Sequence, residues 1–234
     1  MFRPGVERLG GYCTQLIDRL SRPDFAASWK HASRVRGWTG RRESGALFEV
    51  VKSLPENPVI VEVGSFLGRS AITLGWACRG KGGGRVYCVD PFDASGDAFS
   101  KPVYETVMRG VASSQWECFH QNLRGAGIEQ WVEAIRGTAA TAASSWTTPI
   151  DLLFLDGDQS PAGMREAFES FAPFLKLGAT LAVHNSAVRH YEAGHDGGRR
   201  LVEDVVREPA FSSIRTVDTT TIAVKSVAYP EGLR

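Results

Sequence analysis

The sequence lacks a long apolar run, a dominant charge and any paired cysteine motif. No stretch approaches the roughly 18 consecutive apolar residues of a membrane helix, so no membrane partner is expected. Lysine and arginine number 27 against 26 aspartates and glutamates, a net charge of +1. That balance offers no basic surface for nucleic acid. Of the four cysteines (Cys13, Cys78, Cys88 and Cys118), no two form a CxxC pair or a zinc-site spacing. Cys78 and Cys88 lie in apolar stretches and read as buried thiols. The opening MFRPGVER has no apolar segment of the signal-peptide kind, and a reducing cytoplasm is the expected location. Internal repeats and low-complexity tracts are absent. So is the G-x-G-x-x-G spacing of dinucleotide enzymes.

What is present suits one α/β domain. The chain has 234 residues, 43% hydrophobic and 23% charged, enough for a sizeable core. Residues 1–55 are helical in character. Leu16, Ile17 and Leu20 recur at helical spacing, as do Ala46, Leu47, Val50, Val51 and Leu54. A basic, aromatic stretch at 29–42 lies between them, and Pro55 and Pro58 close the region. We expect a helical N-terminal extension at 1–55 and the main domain at 56–234. From there strands are expected at 59–63, 86–89, 131–135, 150–155 and 179–183. Helices alternate with them at 71–78, 104–108, 116–123 and 138–145. A further helical stripe is formed by Met164, Phe168, Phe171 and Leu175, and another helix is expected at 199–206. Such alternation predicts a parallel sheet covered on both faces. Two final strands, 211–217 and 220–224, are too close for a crossover and should form an antiparallel hairpin.

In such a sheet ligands bind beyond the carboxyl ends of the strands. Polar residues stand at those ends: Glu62, Gly64 and Ser65, then Asp90, Gly137 with Thr138, Asp156, and His184 with Asn185. Gly64 and Gly68 would let backbone approach a ligand, although they would equally suit a tight strand-to-helix turn. The following helix N-terminus, with Arg69 and Ser70, suits a carboxylate. Asp90 lies 28 positions beyond Glu62, about one βαβ step, where a carboxylate can accept from ribose hydroxyls. Acidic strand ends also serve as helix caps. Together these features point to a nucleoside cofactor without naming it.

Four segments, VIVEVGSFLGRSA, RVYCVDPF, IDLLFLDGDQS and LKLGATLAVHNS, decide between candidates. In this order they resemble the motifs of a bacterial S-adenosylmethionine (SAM)-dependent methyltransferase family. That family includes sugar O-methyltransferases of the macrocin type; catechol-type O-methyltransferases are more distant relatives. The resemblance covers 36–225, including WTGRRES. It implies a Rossmann-like class I methyltransferase fold: a seven-stranded, mostly parallel sheet ending in an antiparallel hairpin. It implies O-methyl transfer from SAM to a small-molecule hydroxyl, in bacterial natural-product biosynthesis. On it, Glu62, Gly64, Ser65 and Gly68 belong to the SAM pocket. Ser70 binds the methionine carboxylate, Asp90 the ribose, and Gly137 and Thr138 flank adenine. Asp156 sits beneath the sulfonium.

Relatives often hold magnesium with the residue at 156 and an acidic or amide pair at 184–185, and many carry a histidine where this chain has Gln159. Asp156 with Asn185 is therefore an open metal candidate, and His184 becomes the candidate base, unless it only fixes its loop. Residues 190–200 read as a mobile loop, in which His190 and His195 are either solvated or close over substrate. Trp38 and the loops 92–101 and 187–197 should surround the acceptor. Three other readings remain at this point. They are a methyltransferase-fold protein that uses SAM otherwise, as in a cyclisation; a non-catalytic SAM-binding module; and an NAD oxidoreductase, which the glycine spacing opposes. The N-terminal helices offer a homodimer contact.

Overall fold

The computed structural model describes residues 20–227. Cys13, Leu16 and Ile17 lie outside the described residues. The strands are β1 (Val59–Val63), β2 (Arg85–Asp90), β3 (Val132–Arg136), β4 (Ile150–Leu155), β5 (Leu175–Val183), β6 (Phe211–Val217) and β7 (Thr220–Lys225). They form one sheet in the order β3-β2-β1-β4-β5-β7-β6. β1 to β5 run parallel, and β7 pairs antiparallel with both β5 and β6. The strand order reverses between β1 and β4, which opens a crevice at their carboxyl ends.

The helices are α1 (Pro23–Ala32), α2 (Arg41–Ser53), α3 (Arg69–Lys81), α4 (Lys101–Met108), α5 (Gln115–Ala126), α6 (Ala139–Ala143), α7 (Pro161–Phe171) and α8 (Gly197–Val205). Side chains alternate across the strands. On one face Ile60, Cys88, Leu152 and Phe154 pack with Phe25, Leu47, Ile72 and Phe119 from α1, α2, α3 and α5. On the other, Val61, Val63, Leu153 and Leu181 pack with Met164, Phe168, Phe171 and Leu201 from α7 and α8. Each such large buried side chain contributes about 1.5–3 kcal/mol. Local signals set the helix starts. Ser114 and Glu117 form a capping box on α5, and Ser160 accepts from Gly163 N with Pro161 at the first helical position.

Two expectations are corrected. The stripe from Met164 to Leu175 is not one helix: α7 stops at Phe171, a 3-10 turn spans Ala172–Phe174, and Leu175 opens β5. Leu175 is buried because it pairs with Ile150, which apolar spacing alone cannot distinguish from a helix face. The segment 190–200 is not one loop either, since α8 begins at Gly197. Its start is docked: Gly197 N donates to Gln159 O at 2.9 Å. Among the described residues no helix is long and apolar enough to cross a membrane.

Candidate active site

A cleft opens at the carboxyl ends of β1, β2, β4 and β5. Gly64, Ser65, Ser70, Asp90, Asp156, His184 and Asn185 all line it. Glu62 lies beneath it. On β1 Glu62 shares a face with Ile60, and parallel register places it opposite Cys88. The side chain is fully buried; Oε2 accepts from Ser65 Oγ at 2.6 Å and from Cys88 Sγ at 3.2 Å. Oε1 has no close hydrogen-bond partner. Burial pushes its carboxyl up to about 7, against the opposing pull of Ser65, Ser70 and Cys88.

The two loop glycines make room for protein. Gly64 has φ +87°, and a Cβ there would lie 2.3 Å from Gly157 Cα, so the exits of β1 and β4 are in backbone contact. At Gly68, φ +92°, a Cβ would lie 3.1 Å from the Phe119 ring, and the residue does not line the cleft. Asp90 holds the same loop: Oδ2 accepts from Ser65 N and Phe66 N, both at 2.9 Å. Oδ1 accepts from Phe92 N at 2.6 Å and Gln115 Nε2 at 3.2 Å. Those four bonds fill the usual acceptor capacity of a carboxylate. Arg69 is committed elsewhere too, donating to Val35 O at 2.8 Å and Thr39 O at 3.3 Å.

Across the cleft a buried charge cluster closes β4 and β5. His184, 2% exposed, places Nδ1 2.6 Å from Asp156 Oδ1 and Nε2 3.7 Å from Glu43 Oε1. Burial alone would lower the imidazole pKa, but Asp156 and Glu43 outweigh it and raise it. Glu43 comes from the first turn of α2, where Oε2 accepts from Gly40 N at 2.7 Å. Its Oε1 also accepts from Thr219 N, Thr219 Oγ1 and Thr220 Oγ1, joining α2 to the β6–β7 turn. Gln159 Nε2 reaches Asp156 Oδ1 at 3.3 Å.

A second pair lies at the mouth. Asp97 is buried, and its Oδ1 lies 3.2 Å from His195 Nδ1. Both His195 and Trp38 line the cleft. Trp38 is 46% exposed and packs on Phe66 and Tyr104 at ring separations of 5.4 and 5.2 Å, so it forms a rim and not core.

Besides Glu62 and Gly68, the expected cofactor residues Gly137 and Thr138 also stand apart from the cleft lining. Gly137 N donates to Asp90 O at 3.1 Å, and Thr138 caps α6 by accepting from Thr141 N. His190 is exposed and outside the lining as well. Sequence reasoning missed Glu43 and Asp97. For Glu43 the signal was a glycine N-cap with glutamate three positions on; for Asp97, in an irregular loop, there was none.

The donors fit SAM and magnesium unequally. Glu62, with an orphaned buried oxygen, lies under a polar loop end suited to a cationic, amino-acid-bearing ligand. For magnesium, which needs oxygen donors, Asp156 and Asn185 stand beside an imidazole favoured as a cation, and that ring already contacts Asp156 Oδ1. Among the described residues no three His, Cys, Asp or Glu side chains are grouped to hold a metal. The residues do not fit magnesium.

Comparison with known proteins agrees with this frame. A family model described as a methyltransferase domain matches residues 61–186, more than half of the chain. Among solved structures, the cofactor-bound Rv0187 from MTB is 18% identical at a TM-score of 0.63, covering 96% of this chain and 99% of that one. An O-methyltransferase from Bacillus cereus, solved with S-adenosylhomocysteine, is 17% identical at 0.60, covering 92% and 97%. TomG from Streptomyces achromogenes, an O-methyltransferase involved in tomaymycin synthesis and solved with SAM, is 22% identical at 0.58, covering 81% and 82%. Matched by that family over its strand-end motifs, and built on the seven-stranded sheet those motifs imply, the chain belongs to the class I SAM-dependent methyltransferases.

Proposed function

We propose that the chain transfers a methyl group from SAM to a hydroxyl of a small molecule, in bacterial natural-product biosynthesis, without a metal. The observation that carries this is a cleft with two unlike ends. One end is built on the Glu62–Ser65–Ser70 cluster, the other on Asp156, His184 and an aromatic rim. O-methyltransferases among the similar structures, TomG among them, support the acceptor atom and the setting.

SAM supplies an activated methyl group on a cationic sulfur. Ser65 and Ser70 bind its amino-acid end, with Glu62 beneath them as the counter-charge. Asp90 acts mainly by holding the 64–66 turn in shape, and Gly64 and Gly68 let that turn pack. Gly137 and Thr138 serve adenine from beyond the main cleft. Asp156 lies under the reacting groups, and His184, whose pKa Asp156 and Glu43 raise, ties those two carboxylates together. That pairing makes His184 unsuited to act as the base. The extension expected at 1–55, of which α1 and α2 are described, serves as a cap, with a homodimer contact assigned to it. Free thiols at Cys78, Cys88 and Cys118 suit a cytoplasmic setting.

The test is incubation with SAM and a panel of phenols, sugars and polyketide alcohols, followed by detection of S-adenosylhomocysteine and methylated product. SAM binding without turnover on any acceptor would sink the proposal and favour a binding module.

A further inference from the structure

The cleft contains two histidines, and their surroundings differ. His184 is locked between Asp156 and Glu43 and buried. His195 is tied on one side only. Its Nδ1 meets Asp97 Oδ1 at 3.2 Å, which leaves Nε2 as the free nitrogen of a ring that lines the cleft. Asp97 is a rigid anchor. Its oxygens also accept from Phe99 N at 3.0 Å, Ser100 N at 3.1 Å, Ser100 Oγ at 2.6 Å and Gln159 N at 3.3 Å. Burial opposes its charge, but the bonds from His195 and Ser100 outweigh that and hold the carboxyl well below the usual carboxylate range. The backbone of His195 is fixed as well, through His195 N to Glu192 O at 2.9 Å. Beside this pair the rim is apolar and open: Phe99 packs on the His195 ring at 4.5 Å, and Trp38, Phe99 and Val103 are all exposed along the cleft.

We propose that His195, oriented by Asp97, is the base that takes the acceptor's proton, and that the acceptor is an aromatic hydroxyl seated against this rim. The inference rests on the methyl-transfer reading above. Asp97 keeps the ring proton on Nδ1, so the Nε2 lone pair faces the acceptor. The acceptor oxygen gives its proton to Nε2 and bonds to the methyl carbon. The carbon–sulfur bond breaks with its electron pair going to sulfur, leaving a neutral thioether, and the imidazolium returns its proton to water. The apolar rim and acidity together favour a phenol. A phenol ionises near pH 10, as tyrosine does, and its ring suits the Trp38–Phe99 face. An aliphatic hydroxyl lies nearer water, at about 15.7, so it asks more of an imidazole base and has no ring to seat on the rim.

The experiment compares wild type, His195→Gln and Asp97→Asn on phenols of graded acidity and on aliphatic alcohols. For a weakly acidic phenol, kcat should fall by about 10²–10⁴-fold in His195→Gln while KM for SAM stays unchanged. A strongly acidic nitrophenol, already ionised, should lose far less. Asp97→Asn should show the same acidity dependence in milder form. Independently of turnover, a nitrophenol bound with S-adenosylhomocysteine should ionise at lower pH in wild type than in His195→Gln, read from its absorbance. Equal losses across the phenols, no loss, or identical absorbance titrations would overturn the base assignment. Preference for aliphatic hydroxyls would overturn the acceptor class. A wild type inactive on every acceptor would instead overturn the methyl-transfer reading itself.

Discussion

Replacing Glu62 by glutamine isolates the cost of a buried charge. The carboxyl is wholly enclosed beneath the 64–66 turn, and burial raises it from an ordinary 4.5 to about 7. Between those values the folded chain keeps a proton that the unfolded chain has released. Stability therefore falls as pH rises through this window and levels off above it. The total cost is about 3 kcal/mol. Glutamine is nearly isosteric, can still accept from Ser65 and Cys88, and cannot ionise. Urea unfolding of both cofactor-free proteins at pH 5 and pH 8 measures the difference; the other titrating groups are common to both and largely cancel. Glu62→Gln should gain on wild type by about 2–3 kcal/mol between the two pH values. A constant gap would refute the reasoning, because Glu62 would then titrate alike in both states. With SAM present the logic extends: a cation near the carboxylate favours its ionised form. Wild-type affinity should drop below pH 7 while the glutamine variant's stays flat, as calorimetry would show.

Other substitutions probe the site's frame. Gly64→Ala places a Cβ against Gly157 at a left-handed φ and should cost well over about 3 kcal/mol. Gly110→Ala, at φ +79° in open space, should cost only about 1–2 kcal/mol; both are read by urea unfolding. His184→Asn leaves buried Glu43 and part-buried Asp156 without their shared partner, a loss of about 3 kcal/mol. Because the His184 pKa is raised above 6.5, its contribution is complete below that pH and fades as pH rises through the folded value. The gap to wild type should therefore narrow in alkali, as paired denaturation curves would reveal. Activity should persist in EDTA without recovery by magnesium; full loss with magnesium rescue would contradict the poor fit of the Asp156–Asn185 donors.

Much of the frame was legible along the chain. Strand-end residues such as Glu62, Asp90, Asp156 and His184 mark where apolar β-branched runs stop, and the parallel topology carries all of those ends to one edge. The hairpin followed from the two residues between β6 and β7, since no crossover fits there. The run ending at Leu175 misled because a buried residue after a helix repeats the same spacing whether it continues the helix or opens a strand. The role of each strand-end residue was less legible than its position. Asp90 was legible as a strand-end carboxylate, but its bonds from three backbone amides and the Gln115 side chain were not.

What the sequence determined by itself was the alternation of elements, the motifs at their ends and the family. These are local patterns, set by side-chain periodicity and a few glycine-bearing turns. What only the tertiary structure decided was which charges meet. Glu43 lies 141 positions before His184, and Asp97 lies 98 before His195. No local rule pairs residues so distant. Their meeting depends on the strand order that sets the β6–β7 turn against α2 and the 91–100 loop against the start of α8. The same packing gives the two histidines different surroundings: His184 lies between Asp156 and Glu43, while His195 meets a carboxylate on one side only.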